Sequence, residues 1–274
     1  MYQLLFFDID GTLCMPGDDP TPRTVRAIQS ARERGCKCFL STGRNITSIP
    51  KAVDAIGFDG YITNAGATAL LGESLLLSVP IPNEVLRATL DAFYRTRCVF
   101  VLQTNKGNYC DYAQIDKIWN PRPTQIETYV DFTNRMLDVK DLSQLPPEEP
   151  VYKICFYTPY ADAVGQLRQE LSCWYSFTMF DNLFDDMELH SGEINQLAAN
   201  KGKALRAFCD YFHVPPEETI AFGDSTNDLE MLWEAGLGVA MENAQQPLKA
   251  AADLIAPPCK EDGVAQIIEQ YVLT

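Results

Sequence analysis

The sequence predicts an α/β protein: a doubly wound core on a parallel sheet, interrupted by an inserted α/β domain. Three observations predict this. A β-α-β-α-β run opens the chain, the same strand–loop–helix rhythm returns in the last third, and the stretch between them has a different character.

Leu4-Leu5-Phe6-Phe7 is apolar throughout and reads as a strand buried on both faces. Thr21-Pro22 starts a helix, with Thr21 as N-cap and proline in the first turn; Val25, Ile28 and Ala31 form its apolar stripe and Gly35 ends it. A strand over Cys36–Leu40 runs into Ser41-Thr42-Gly43-Arg44, and a further helix and a short strand over Gly60–Thr63 follow. The character shifts at Val79-Pro80-Ile81-Pro82. A helix capped by Asn83 comes next, then a hairpin from Cys98–Gln103 to Tyr109–Tyr112, turning at Asn105–Asn108. Beyond the proline-rich Leu145–Pro150 the pattern gives a strand over Val151–Tyr157, a helix over Ala161–Leu171, and strands near Trp174–Phe180 and Met187–His190. The last third returns to the opening pattern: helix Lys201–Phe212, buried strand Thr219–Phe222 ending at Gly223-Asp224, helix Asn227–Glu234 stopped by Gly236, and strands over Leu237–Ala240 and Asp253–Ala256. The expected division is 1–81 and 191–274 for the core and 82–190 for the insert.

Composition narrows the function. At 274 residues the chain is long enough to bury a core without staples. Its net charge of −15 and pI near 4.5 argue against a nucleic-acid or anionic-membrane surface, which needs a basic face. An anionic small substrate stays compatible, because a site can be locally positive. The nine cysteines are odd in number and contain no C-x-x-C pair, which argues against a disulfide framework or a zinc site. Cys36, Cys38, Cys155 and Cys209 read as buried free thiols. No basic leader and no apolar run of spanning length is present, so a reducing cytoplasm is expected. The two histidines, His190 and His213, have no metal or nucleophile spacing. Tyr109, Tyr112 and Trp119 read as core of the inserted domain.

The chemistry lies where apolar strands break into polar loops. Asp8-Ile9-Asp10, Ser41-Thr42-Gly43-Arg44 and Gly223-Asp224-Ser225-Thr226-Asn227-Asp228 each follow a strand. In a parallel sheet all three loops share the carboxyl edge, where ligands bind. Asp8, Asp10, Asp224 and Asp228 would gather there with Thr42, Lys201 and Asn227. Buried carboxylates repel one another, and a divalent cation is the simplest answer. The same cation would admit an anionic substrate. Two unit charges about 4 Å apart interact by roughly 4 kcal/mol at an effective dielectric near 20, so a phosphate dianion meets about twice that from one carboxylate. Mg²⁺ held by Asp8, Asp224 and a backbone carbonyl offsets this, Lys201 adds a mobile positive charge, and Thr42 offers a hydroxyl at a helix N-terminus.

The ordered set Asp8-x-Asp10-Gly11-Thr12, Thr42, Lys201 and Gly223-Asp224-x-x-Asn227-Asp228 resembles the haloacid dehalogenase (HAD) superfamily, and within it the Cof-type phosphatases with a large α/β cap. Met241-Glu242-Asn243-Ala244 also resembles that group. The resemblance implies a Rossmann-like core with an α/β cap that closes over the leaving group. It implies a Mg²⁺-dependent phosphomonoester hydrolase, with Asp8 as nucleophile forming an aspartyl-phosphate. Asp10 would be the general acid and base, its backbone carbonyl on the metal and its carboxyl free. Asp224 would be a side-chain metal ligand and Asp228 a ligand through water. Thr42, Lys201, Asn227 and the backbone at Ile9 and Gly43 would hold the phosphoryl group. Lys203 is the fallback for Lys201. Arg44 has two readings: it reaches the substrate, or it pairs with an acidic neighbour. The implied substrates are small: a sugar phosphate, pyridoxal phosphate, flavin mononucleotide or a nucleotide. No nucleic-acid or membrane partner is expected, and the chain should be a monomer or weak homo-oligomer. Two other readings are a phosphotransferase or mutase on the same aspartyl-phosphate, and a non-catalytic phosphate-binding protein. The sequence departs from the group at Asn64-Ala65-Gly66-Ala67, where Asn-Gly-Ala is common, and in the length of the segment before Lys201.

Overall fold

A computed structural model describes residues 2–118, 139–180 and 189–274. The chain forms two compact units. The first joins the residues up to Val79 with Ala199–Thr274, and the second is Pro80–Ala198.

The first unit is built on an eight-stranded sheet. Strands β1 (Leu4–Phe7), β2 (Lys37–Ser41) and β3 (Gly60–Thr63) run outward in one direction; β12 (Thr219–Gly223), β13 (Leu237–Met241) and β14 (Leu254–Ala256) run outward in the other, all in parallel. The order therefore reverses beside β1, which pairs with both β2 and β12. That reversal opens a crevice at the carboxyl ends of these strands. The expected doubly wound sheet is present, with one addition. β4 (Thr68–Leu71) and β5 (Ser74–Ser78) continue it antiparallel past β3. Gly72-Glu73 turns the chain back within two residues, too few for a crossover helix, so this edge pair is antiparallel.

Strand alternation explains the two faces of this sheet. Leu5 and Phe7 point into one core with Ile28 and Ala31 of α1 (Pro22–Glu33) and Val264 and Ile268 of a C-terminal helix (Gly263–Tyr271). Leu4 and Phe6 point into the other with Leu205 and Phe208 of Lys201–Phe212 and Met231 of Leu229–Glu234. Phe7 stacks on Phe222 with ring centroids 5.1 Å apart, and Phe6 stacks on Phe39 at 5.0 Å. Burying each such side chain is worth about 1.5–3 kcal/mol, so β1 is firmly anchored on both faces. Thr21 caps α1 as expected, its Oγ1 accepting from Thr24 N.

The second unit carries a six-stranded sheet in the order β10-β11-β9-β6-β7-β8: Tyr175–Met179, His190–Gln196, Lys153–Thr158, Val99–Thr104, Gly107–Cys110 and Val139–Asp141. Helices Asn83–Arg95 and Ala161–Leu171 pack their apolar stripes into its core, with Tyr109 buried among them. Two expectations change. Asn83 is the first helical residue and Pro82 holds the cap position. The return to the first unit comes at 199 rather than 191, because the strand beginning at His190 runs to Gln196 and pairs on both sides within the second sheet. Tyr112 is exposed rather than core, and Trp119 lies outside the described residues. All nine cysteines are free, and eight are buried. Among the described residues no helix is long and apolar enough to cross a membrane.

Candidate active site

The three polar loops meet at the carboxyl edge of the first sheet. Asp8 ends β1, Thr42 follows β2, and Asp224 follows β12, so neighbouring parallel strands deliver them side by side. Lys201 is the first residue of its helix, placed there by Asn200, whose Oδ1 caps Lys203 N at 2.8 Å. The Lys201 side chain is fully buried. Its Nζ donates to Asp8 Oδ1 at 2.6 Å and to Asp228 Oδ1 at 2.6 Å. Lys203 is exposed, so the choice between the two lysines is made by geometry.

Asp228 is also fully buried. Its second oxygen accepts the backbone N–H groups of Asp224 at 3.2 Å and Ser225 at 3.1 Å, closing a capping box with Ser225. The first and third loops touch at Gly11, whose φ of +87° is left-handed. A Cβ there would stand 2.3 Å from Asp224 Oδ2, so only glycine admits that carboxylate. Three contacts were not assigned a role from sequence. Thr12 Oγ1 donates weakly to Asp224 Oδ1 at 3.4 Å. Asn243 Nδ2 donates to Gly11 O at 2.8 Å, and Gln245 N donates to Asp224 O at 2.9 Å, so the segment after β13 braces both acid-bearing loops. The only sequence signal for this bracing was the likeness of Met241–Ala244 to the Cof-type group.

Asp8, Asp224 and Asp228 each offer an oxygen within 4.8 Å of the others. With Lys201 the set carries three negative charges and one positive. The electrostatics register the excess. Burial, with Asp228 and Asp224 adding to it, pushes the Asp8 carboxyl well above the usual carboxylate range against the pull of Lys201. Burial and the charge of Asp228 push Asp224 up to about 7. Lys201 is held above its ordinary value: burial opposes its charge, but Asp228 and Asp8 outweigh burial. A hard divalent cation fits such an oxygen donor set and cancels the remaining two charges.

The Asp10 carboxylate is not one of these three. It accepts a side-on fork from Arg44, Nε to Oδ2 at 2.8 Å and Nη2 to Oδ1 at 2.7 Å. Of the two readings of Arg44, the structure shows the pairing with an acidic neighbour. The Thr42-Gly43-Arg44 loop carries this guanidinium to Asp10 from the adjacent strand. Thr42 is buried and its Oγ1 accepts Arg44 N at 3.1 Å. Asn227 accepts from Ser225 Oγ at 2.9 Å. Ile9 O accepts the N–H groups of Thr12, Leu13 and Cys14, which winds the first loop into a tight turn. Gly43 lies between Thr42 and Arg44 on the second loop.

The loop after β3 supports the cluster from below. Asn64, Ala65 and Gly66 have φ of 52°, 55° and 92°, three left-handed residues in succession. A Cβ at Gly66 would stand 2.1 Å from the Asn200 carbonyl carbon, so this loop seats the start of the Lys201 helix. Ala65 N donates to Thr42 O and Asn64 N to Arg44 O, which ties it to the second loop as well.

Comparison with known proteins decides the family. A model of haloacid dehalogenase-like hydrolases matches residues 5–268. The chain belongs to that family. An HMP-PP phosphatase of Cronobacter sakazakii is 28% identical to this HAD hydrolase over 252 residues, spanning 91% of this chain and 88% of the relative. A phosphatase of the HAD superfamily from Bacteroides thetaiotaomicron shares its fold with a TM-score of 0.80 at 24% identity, covering 100% of this chain and 96% of the other. An HAD subclass IIB sugar phosphatase does so with a TM-score of 0.77 at 23% identity, covering 99% and 100%. The family, the α/β fold class and the enzyme class expected from sequence, a phosphatase, are borne out.

Proposed function

We propose that this HAD hydrolase releases phosphate from small phosphomonoesters through an aspartyl-phosphate on Asp8, with Mg²⁺ held by Asp8, Asp224 and the backbone carbonyl of Asp10. The observation that carries the reading is the buried set of three carboxylates around one lysine, which leaves two negative charges uncancelled. Asp228 has both oxygens engaged by Lys201 and loop amides, so its share in holding the cation passes through a water. When bound, the cation supplies charge neutralisation for an incoming phosphate.

The residues divide the work. Lys201, Asn227 and Thr42, with the backbone N–H groups at Ile9 and Gly43, orient the phosphoryl group. A carboxylate oxygen of Asp8 attacks phosphorus and the bond to the leaving oxygen breaks. Asp10 gives that oxygen a proton. In the second half Asp10 takes a proton from water, the water oxygen bonds to phosphorus, and Asp8 is freed as inorganic phosphate departs. General acid and base help of this kind is worth roughly 10²–10⁴-fold. The Arg44 fork does not block it, since a carboxylate offers about four acceptor positions and the fork uses two. A cytoplasmic setting fits the eight buried free thiols.

The substrate class is a small phosphorylated metabolite. HMP-PP, named for the Cronobacter relative, joins sugar phosphates, pyridoxal phosphate, flavin mononucleotide and nucleotides as a candidate. The test is a phosphate-release screen over these compounds with and without Mg²⁺, with Asp8→Asn and Asp10→Asn as controls. Mg²⁺-dependent release that both substitutions abolish or cripple is expected. Turnover by Asp8→Asn equal to the parent removes the proposed nucleophile. Transfer to an acceptor alcohol with little free phosphate would make the protein a phosphotransferase.

A further inference from the structure

We infer that Arg44 is a positioning residue, which fixes the Asp10 carboxyl in the orientation that proton transfer needs. The inference rests on the reading of Asp10 as general acid and base.

Arg44 is anchored independently of Asp10. Its backbone N–H donates to Thr42 Oγ1 at 3.1 Å, its carbonyl accepts Asn64 N at 2.8 Å, and its Nη1 donates to Ser48 O at 3.3 Å. Asp10 has no such support. Among the described residues Arg44 is the only side chain bonded to its carboxylate, and both side chains of the pair are 34% exposed. A half-exposed aspartate on a loop has several rotamers open to it. Proton transfer tolerates a donor–acceptor distance of only about 2.6–3.2 Å, which a rotamer change exceeds. A planar fork on both oxygens selects one rotamer and one carboxyl plane, which a single ammonium cannot do. The fork also leaves acceptor positions open on each oxygen for the transferred proton. Arg44 thus acts through Asp10 rather than on the substrate.

A series of aryl phosphates, from phenyl to p-nitrophenyl, tests this. A phenolate needs a proton to leave, while a p-nitrophenolate departs without one. Asp10→Asn should slow phenyl phosphate far more than p-nitrophenyl phosphate. Arg44→Met should show the same selectivity, losing roughly 10²-fold in kcat on phenyl phosphate and only a few-fold on p-nitrophenyl phosphate. The double variant should be no slower than Asp10→Asn alone, since residues acting as a unit are non-additive. Arg44→Lys, which can make one of the two bonds, should recover part of the phenyl phosphate rate and carries the same comparison if the methionine variant does not fold. An equal loss on both substrates, or a double variant slower by the full Arg44→Met factor, overturns the inference and makes Arg44 a substrate or structural residue. No leaving-group dependence in Asp10→Asn itself overturns the reading of Asp10 instead. A parent enzyme inert on every aryl phosphate counts against both.

Discussion

In the second unit, Lys153 Nζ lies 2.6 Å from Glu193 Oε2, and Asn195 Nδ2 donates to Glu193 Oε1 at 3.0 Å. In the first unit, Lys201 Nζ meets Asp8 and Asp228 at the same 2.6 Å, with Asp224 close by. Both lysines are buried. The charges of the first group sum to zero, and those of the second to minus two. Burial of charge alone does not mark a functional site; burial of charge left over does.

The contrast breaks most visibly at the acids. Asp8→Asn should cost at least ~10³-fold in phosphate release, as loss of a nucleophile does. The same substitution should raise the unfolding midpoint of the metal-free protein, because it removes one of three repelling charges. Glu193→Gln should do the reverse to stability, lowering it by about 3–5 kcal/mol in denaturant titration, because it removes the opposite charge of a buried pair. Midpoints that move in the same direction would erase the distinction between the two groups.

Removing the lysines sharpens it. Lys201→Met and Lys153→Met should each destabilise by about 3–5 kcal/mol, the usual result of breaking a buried pair from one side. Millimolar Mg²⁺ should return part of the loss in Lys201→Met and none in Lys153→Met. Recovery of both would mean that the ion acts elsewhere.

The pH dependence follows from Asp224. Its folded value near 7 lies above the ordinary 3.8, so the native protein keeps a proton that the unfolded chain has released between those values. This contribution to stability is fully present below about pH 4 and is lost as pH rises through about 7. Metal-free protein should therefore lose stability from this group across that window. A cation competes with the same proton, so the rise in melting temperature caused by Mg²⁺ should be larger at pH 8 than at pH 5.5. Equal rises would detach Asp224 from the ion. The smallest effect belongs to Ala65. Glycine relieves a left-handed alanine worth about 1–2 kcal/mol but adds chain entropy, so Ala65→Gly should stabilise by roughly 0.5 kcal/mol in a denaturant titration.

Much of this was legible before any coordinates. An all-apolar Leu4–Phe7 and a Gly223 that closes an equally apolar strand announce buried parallel strands, and strand ends in such a sheet collect their loops at one edge. Asp8, Asp224, Asp228 and Lys201 could therefore be grouped without seeing them. The β4–β5 hairpin escaped because its strands are short and only Gly72-Glu73 separates them, so it offers neither a long period nor a strong turn pair. The partner of Arg44 escaped for another reason. Asp10 and Arg44 are 34 residues apart, and their meeting depends on two side-chain rotamers that no spacing rule encodes.

The pairing of β1 between β2 and β12 also bears on how the protein is made. The ribosome delivers Leu4–Phe7 first, yet one edge of that strand has no neighbour until Thr219–Gly223 emerges from the last third of the chain. Throughout that interval a fully apolar segment waits with one edge unpaired, while every described strand of the second unit has already been made. Emergence of Thr219–Gly223 gives β1 its missing neighbour, and the segment carrying Asn243 and Gln245 must follow before both acid-bearing loops are braced.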